Sequence, residues 1–138
     1  MKKKILALAL CACVLLAAPA YAVAVQTPGN VVSPCYVLIK TAKADLSISG
    51  DTATISASVT GNVSSVDKAE IEAELQVKDG TRWRYCGDWS VSKNSYRASL
   101  SESRDVVAGN TYRVKAVVTV WNGSQSESQT IYSSQVAV

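Results

Sequence analysis

The stretch Thr111-Tyr112-Arg113-Val114-Lys115-Ala116-Val117-Val118-Thr119-Val120-Trp121-Asn122-Gly123 carries the strongest structural signal in the chain. Tyr112, Val114, Ala116, Val118 and Val120 recur at every second position. Successive side chains of an extended strand point to opposite faces, so this spacing lines one face with apolar groups and predicts a strand. Asn122-Gly123 closes the run with a hairpin signal. Trp121 has the opposite parity to Tyr112 and shares a face with Val117, next to the turn.

The same alternation extends outward on both sides. Ala53, Ile55, Ala57 and Val59 alternate with Thr54, Ser56, Ser58 and Thr60. Ala69, Ile71, Ala73, Leu75 and Val77 alternate with Glu70, Glu72, Glu74 and Gln76. Glutamate and alanine are good helix formers, but a strict period of two outweighs that propensity. Beyond Asp79-Gly80, the residues Trp83, Tyr85, Trp89 and Val91 share one parity and are expected to pack into the core. A three-residue loop, Lys78-Asp79-Gly80 with Gly80 left-handed, would set Leu75 opposite Trp83 and Glu74 opposite Arg84. That register leaves Cys86 on the polar face beside Glu72. Tyr96, Ala98 and Leu100 form a further short strand, and residues 125–136 read as an edge strand of open register. Turn signals every eight to twelve residues are those of a sandwich or barrel. The expected class is all-β, an antiparallel two-sheet sandwich of about seven or eight strands.

The N-terminus follows different rules. Lys2-Lys3-Lys4 precedes an uncharged run over residues 5–18, then Pro19-Ala20-Tyr21-Ala22. A positive segment, an apolar segment and a small-x-small site make a secretory signal peptide over residues 1–22, with a second cutting site after Ala24. Leu10-Cys11-Ala12-Cys13 loosely matches a lipid-attachment motif, but cutting there leaves only residues 5–12 as the apolar segment. Residues 23–34, with Pro28-Gly29 and Ser33-Pro34, read as a linker, and residues 35–138 as the sandwich.

Losing the leader changes the charge. The chain has 14 Lys and Arg against 11 Asp and Glu, and the excess of three is Lys2, Lys3 and Lys4. The processed chain is therefore formally neutral and lacks the long-range field that gathers phosphates, so nucleic acid is not an expected partner. The apolar run falls short of the roughly 20 residues that span a bilayer, and no transmembrane segment is expected after cleavage. Of four cysteines, Cys11 and Cys13 leave with the leader. Cys35 and Cys86 remain, and in an oxidising exterior an even pair is expected to form a disulfide within the chain, the alternatives being two separate thiols or a bridge between molecules.

Val106-Val107-Ala108-Gly109-Asn110-Thr111-Tyr112 resembles the entry to strand F of fibronectin type III and related immunoglobulin-like domains. Those domains show an apolar residue, a glycine three before a tyrosine, and then alternating apolar positions. The resemblance implies an immunoglobulin-like sandwich in which Gly109 makes a tight corner and a buried Tyr112 phenol reaches back to a backbone group. The early tryptophan of fibronectin type III domains is absent, with Ile55 and Val59 in that region. The layout also resembles small exported single-domain proteins of Gram-positive bacteria.

There is no histidine. That removes the commonest general base, the usual zinc ligand and any Ser-His or Cys-His nucleophile. Glycine-rich phosphate motifs are absent as well. Glu70, Glu72 and Glu74 read as a solvated strand face. No catalytic residue, metal or cofactor is therefore expected. Trp121, with Asn122 beside it, is the candidate recognition residue, exposed at a loop or covered by one. Trp83, Tyr85 and Trp89 would serve as a sugar-stacking platform only if they faced out. The functional expectation is an exported, non-catalytic module that binds a protein or glycan at or outside the cell surface. The alternative is a spacer or disulfide-linked subunit of the envelope.

Overall fold

A computed structural model describes residues 36–138. The expected signal peptide, the expected linker and Cys35 lie outside the described residues. Eight strands follow one another: β1 (Ile39–Ser49), β2 (Thr52–Gly61), β3 (Lys68–Asp79), β4 (Arg82–Lys93), β5 (Arg97–Asp105), β6 (Thr111–Asn122), β7 (Gln125–Tyr132) and β8 (Val136–Ala137). β1 carries Ala42, Ala44, Leu46 and Ile48 on its inner side, an alternation diluted by Lys43 and Asp45 and absent from the sequence-based reading.

Three hairpins are built by the same local chemistry. Their closing pairs are Ser49↔Thr52, Asp79↔Arg82 and Asn122↔Gln125. The two-residue loops are therefore Gly50-Asp51, Gly80-Thr81 and Gly123-Ser124. The glycines have φ of 61°, 59° and 58°, and no other residue type has a positive φ. A left-handed glycine followed by an ordinary residue is the type II′ turn, whose twist matches the strands it joins. The expected loop Lys78-Asp79-Gly80 is corrected: Gly80 is left-handed, but it opens the loop instead of ending it. The Asn122-Gly123 turn shifts by one residue for the same reason.

The strands form two antiparallel sheets. One has the order β1-β2-β5, and the other runs β4-β3-β6-β7 with β8 also paired to β6. β1 lies beside β7 on one side of the sandwich, and β4 beside β5 on the other. The core between them is aliphatic. Ile55 and Val59 of β2, Ile71 and Leu75 of β3, and Val114, Val118 and Val120 of β6 are its largest fully buried side chains. This is an all-β, antiparallel two-sheet sandwich.

The crossings between sheets are tied down. After β2, Gly61 lets Val66 approach so closely that a Cβ there would sit 2.6 Å from Val66 Cγ2. Between β5 and β6, the phenol oxygen of Tyr112 accepts the Val107 N–H at 3.0 Å, and Tyr112 is 3% exposed. Its hydroxyl turns toward the Val107 carbonyl at 3.4 Å. Gly109, at φ 85°, donates its N–H to the Val138 carbonyl at 2.8 Å. At the start of β1, one carboxylate does the work of a strand partner. Glu127 of β7 accepts the N–H groups of Val37, Leu38 and Ile39 at 2.9, 2.6 and 2.7 Å.

Candidate functional site

A single inserted residue in β4 creates the surface of interest. Near the turn, Lys78 pairs with Trp83, Val77 with Arg84 and Gln76 with Tyr85. Past Cys86 the pairing resumes one residue out of step, with Leu75 opposite Gly87, Glu74 opposite Asp88 and Ala73 opposite Trp89. Cys86 is the extra residue of a β-bulge, which reverses the parity of everything before it. Gly87 suits the bulge, since a Cβ there would lie 2.6 Å from Arg104 Nη1 and 3.4 Å from the Trp89 ring.

The bulge overturns several expectations at once. Trp89 and Val91 pack against the core, but Trp83 and Tyr85 sit on the outer face with Gln76 and Lys78. Tyr85 is 64% exposed. Cys86 does not lie beside Glu72 on the polar face; it is half-buried and packs against the core, while Glu72 pairs with Ser90. Glu74 faces Asp88 and not Arg84, and Arg84 pairs instead with Asp79 at 3.4 Å.

At the turn end of this face the side chains stack across strands. The guanidinium carbon of Arg113 in β6 lies 4.2 Å from the ring centre of Trp83 in β4. It lies 4.5 Å from the ring centre of Tyr132 in β7. Cations are drawn to aromatic faces at such distances. Beneath the stack Gln76 of β3 is nearly buried. Its Oε1 accepts from Arg113 Nε at 2.8 Å, and its amide donates to Glu74 Oε1 at 2.8 Å. Beside it the Tyr85 hydroxyl donates to Asp88. That hydrogen bond, with burial and the Asp88 charge adding to it, raises the phenol above its ordinary value of 10.0. Glu72, Glu74, Tyr85, Asp88, Lys115 and Val117 surround an open concavity of about 390 Å³ in the middle of the face.

Trp121 lies at the far end of the same face, opposite Lys68. The Lys68 ammonium sits 4.3 Å from its ring centre and reaches Glu70 at 3.3 Å. Trp121 is thus half-buried beside a lysine of the neighbouring strand. Asn122 is exposed and closes the β6–β7 hairpin. The hairpin tip is anchored, since Gly123 N–H donates to Asp67 Oδ2 at 2.8 Å. Gly109 and Tyr112 belong to the β5–β6 corner and lie away from these outer-face groups.

The outer face of the smaller sheet is chemically different. Its rows read Ser47, Thr54, Ser103 and Asp45, Ser56, Ser101 and Lys43, Ser58, Ser99. Hydroxyls dominate these rows, and none of their residues is aromatic. Among the described residues no three histidine, cysteine or carboxylate groups converge as metal ligands would. The pairing of Trp83, Arg113 and Tyr132 was missed by sequence reasoning, because it joins three strands and depends on a bulge.

No protein-family model matches the chain, and no curated protein does. The solution structure of CsgH from R. palustris is similar to it at 14% identity and a TM-score of 0.39, covering 65% of this chain and 88% of that one. The sensor domain of the anti-sigma factor RsgI4 of Pseudobacteroides cellulosolvens is similar at 24% identity and a TM-score of 0.36, covering 78% and 99%. Catalytically inactive OgpA from Akkermansia muciniphila, in complex with an O-glycopeptide, is similar at 12% identity and a TM-score of 0.37, covering 67% of this chain and 28% of that one. Likenesses at this level carry no argument about what the protein binds.

Proposed function

We propose that this is an exported, non-catalytic module that binds a glycan or protein outside the cell through the outer face of its larger sheet. The observation that carries this is the asymmetry of the two outer faces. Trp83, Tyr85, Trp121 and Tyr132 all lie on one, whereas the other is a field of serine and threonine. Aromatic side chains held on strands offer large contact area with little freedom left to lose on binding. The leader pattern of residues 1–22 supports export, and the lack of histidine supports a binding role over a catalytic one. The test is a glycan array and a cell-surface pull-down with the processed protein. Tyr132→Ala and Trp83→Ala should weaken binding at least tenfold, while Ser56→Ala on the opposite face should not. Equal binding by all variants refutes the assignment of the face.

A second reading, as a covalently linked envelope subunit, is favoured by where the cysteines can reach. Val37 is held at Glu127 of β7, and Glu127 aligns through Val120 and Ala69 with Lys93 at one end of β4. Cys86 lies three strand spacings across, about 14 Å, and roughly 20 Å further along. Cys35 is two residues before Val37, at most about 7 Å of chain, and a disulfide needs its Cα atoms within about 7 Å. These distances favour a bridge between molecules over one within the chain. Non-reducing electrophoresis and disulfide mapping test it, and an internally bridged monomer would refute it.

A further inference from the structure

Arg113 is constrained far more than a surface arginine that merely covers its strand. Two rings flank its guanidinium carbon, and its Nε is committed to Gln76, whose own amide is fixed by Glu74. Its two terminal nitrogens have no protein acceptor among the described residues, and no buried nitrogen there is left unsatisfied, so both open to water. Among the described residues Arg113 takes part in no ion pair, and the pairs there lie elsewhere. The result is a charged fork of N–H donors, with its rotamer already set, facing outward without a carboxylate of its own. Lys115, paired with Tyr132, and Lys78, paired with Trp83, add positive charge to either side; Glu74 and, further across, Asp88 oppose it.

We propose that Arg113 is the anchor for the carboxylate of an acidic sugar, a uronic acid residue of a polysaccharide, with Trp83 and Tyr132 flanking the ring it carries. This deepens the binding-face reading and rests on it. The two oxygens of a carboxylate match the spacing of a guanidinium edge, and a preorganised fork loses little freedom in taking them. A sugar suits the surroundings better than an acidic peptide does. Protein interfaces are built around a desolvated apolar centre. Here the outer positions of β3, β4, β6 and β7 supply rings, amides, hydroxyls and charges, and Val117 is their sole aliphatic side chain.

The experiment measures binding of the processed protein to oligogalacturonate, to the same oligomer with its carboxyls reduced to alcohols, and to poly-glutamate. The acidic oligomer should bind, and reduction of its carboxyls should weaken binding at least tenfold. Arg113→Lys should weaken it about tenfold and Arg113→Gln should abolish it, with near-ultraviolet circular dichroism showing both variants folded. Tyr132→Ala, at an exposed position, should also weaken it. Equal affinity for the reduced oligomer, with Tyr132 still required, overturns the carboxylate site and leaves the binding face standing. Arg113-dependent binding of poly-glutamate in preference to the sugar overturns it in favour of an acidic protein. Binding of none of the three probes overturns it as well.

Discussion

Glu127→Ala should be among the most damaging single substitutions outside the core. The Glu127 side chain closes the gap between β1 and β7, which are edge strands of different sheets and share no ladder. Its Oε2 takes the N–H groups of both Leu38 and Ile39, and its Oε1 that of Val37. Hydrogen bonds to a charged group contribute about 1.5–3 kcal/mol each where they are shielded. Val37 is 73% exposed, so water replaces its bond at little cost. The bonds to Leu38 and Ile39 are partly buried and share one oxygen, so they sum to less than twice that figure. The expected loss is about 3 kcal/mol, or roughly 12 °C in Tm at about 4 °C per kcal/mol for a domain of this size. Glu127→Gln keeps an acceptor but loses the charge, and should lose about half as much. Calorimetry gives the stability, and amide exchange at Leu38 and Ile39 locates it. A Glu127→Ala protein within about 0.5 kcal/mol of the parent, with those two amides protected as before, would refute the clamp; that is the scatter of an ordinary surface change.

Other perturbations test other joints of the argument. Gly61→Ala should cost about 1–3 kcal/mol by urea denaturation, because a Cβ would meet Val66 Cγ2 at 2.6 Å, and Val66→Ala should recover part of that loss. Tyr112→Phe removes the acceptor of the Val107 N–H and should cost about 1 kcal/mol, while Tyr112→Ala should cost about 3–5 kcal/mol through the cavity it leaves. Tyr85 should ionise above 10.0 in an ultraviolet absorbance titration, and Asp88→Asn should bring it down. Since the fold favours the protonated phenol, the stability it contributes is fully present below pH 10.0 and is lost as pH rises through the raised value. A Tyr85 titration unchanged by Asp88→Asn would break that pairing.

Most strands could be read along the chain because burial on one face imposes a period of two. Ala53 to Val59, Ala69 to Leu75 and Tyr112 to Val120 each show it, and each lies in the core as its parity requires. The glutamates of β3 did not make it a helix, because the alternation of burial overrides intrinsic propensity. Turns were legible only to within a residue. Lys78-Asp79-Gly80 reads as a three-residue loop and Asn122-Gly123 as a hairpin turn, yet glycine takes the first position of a two-residue loop in each, since a type II′ turn needs the left-handed residue there.

The candidate site was legible in part. Trp121 falls on the outer face because nothing interrupts the alternation between it and Tyr112. Trp83 and Tyr85 lie on the far side of the bulge, and parity counted back from Trp89 assigns them to the wrong face. Whether a strand bulges depends on what its partner and the opposite sheet present. Here those are the β3 ladder and the Arg104 side chain seated over Gly87.

Local chemistry alone therefore determined that this chain would be extended, which faces of β2, β3 and β6 would form its core, and that glycines would make its corners. Those outcomes follow from side-chain parity and backbone sterics, which act over a few neighbouring residues. The tertiary structure decided the register of β4, the stacking of Arg113 between rings from two other strands, and the clamp of Glu127 on the start of β1. Each joins groups from different strands, and the Glu127 clamp joins different sheets, so their energies exist only once those strands have come together.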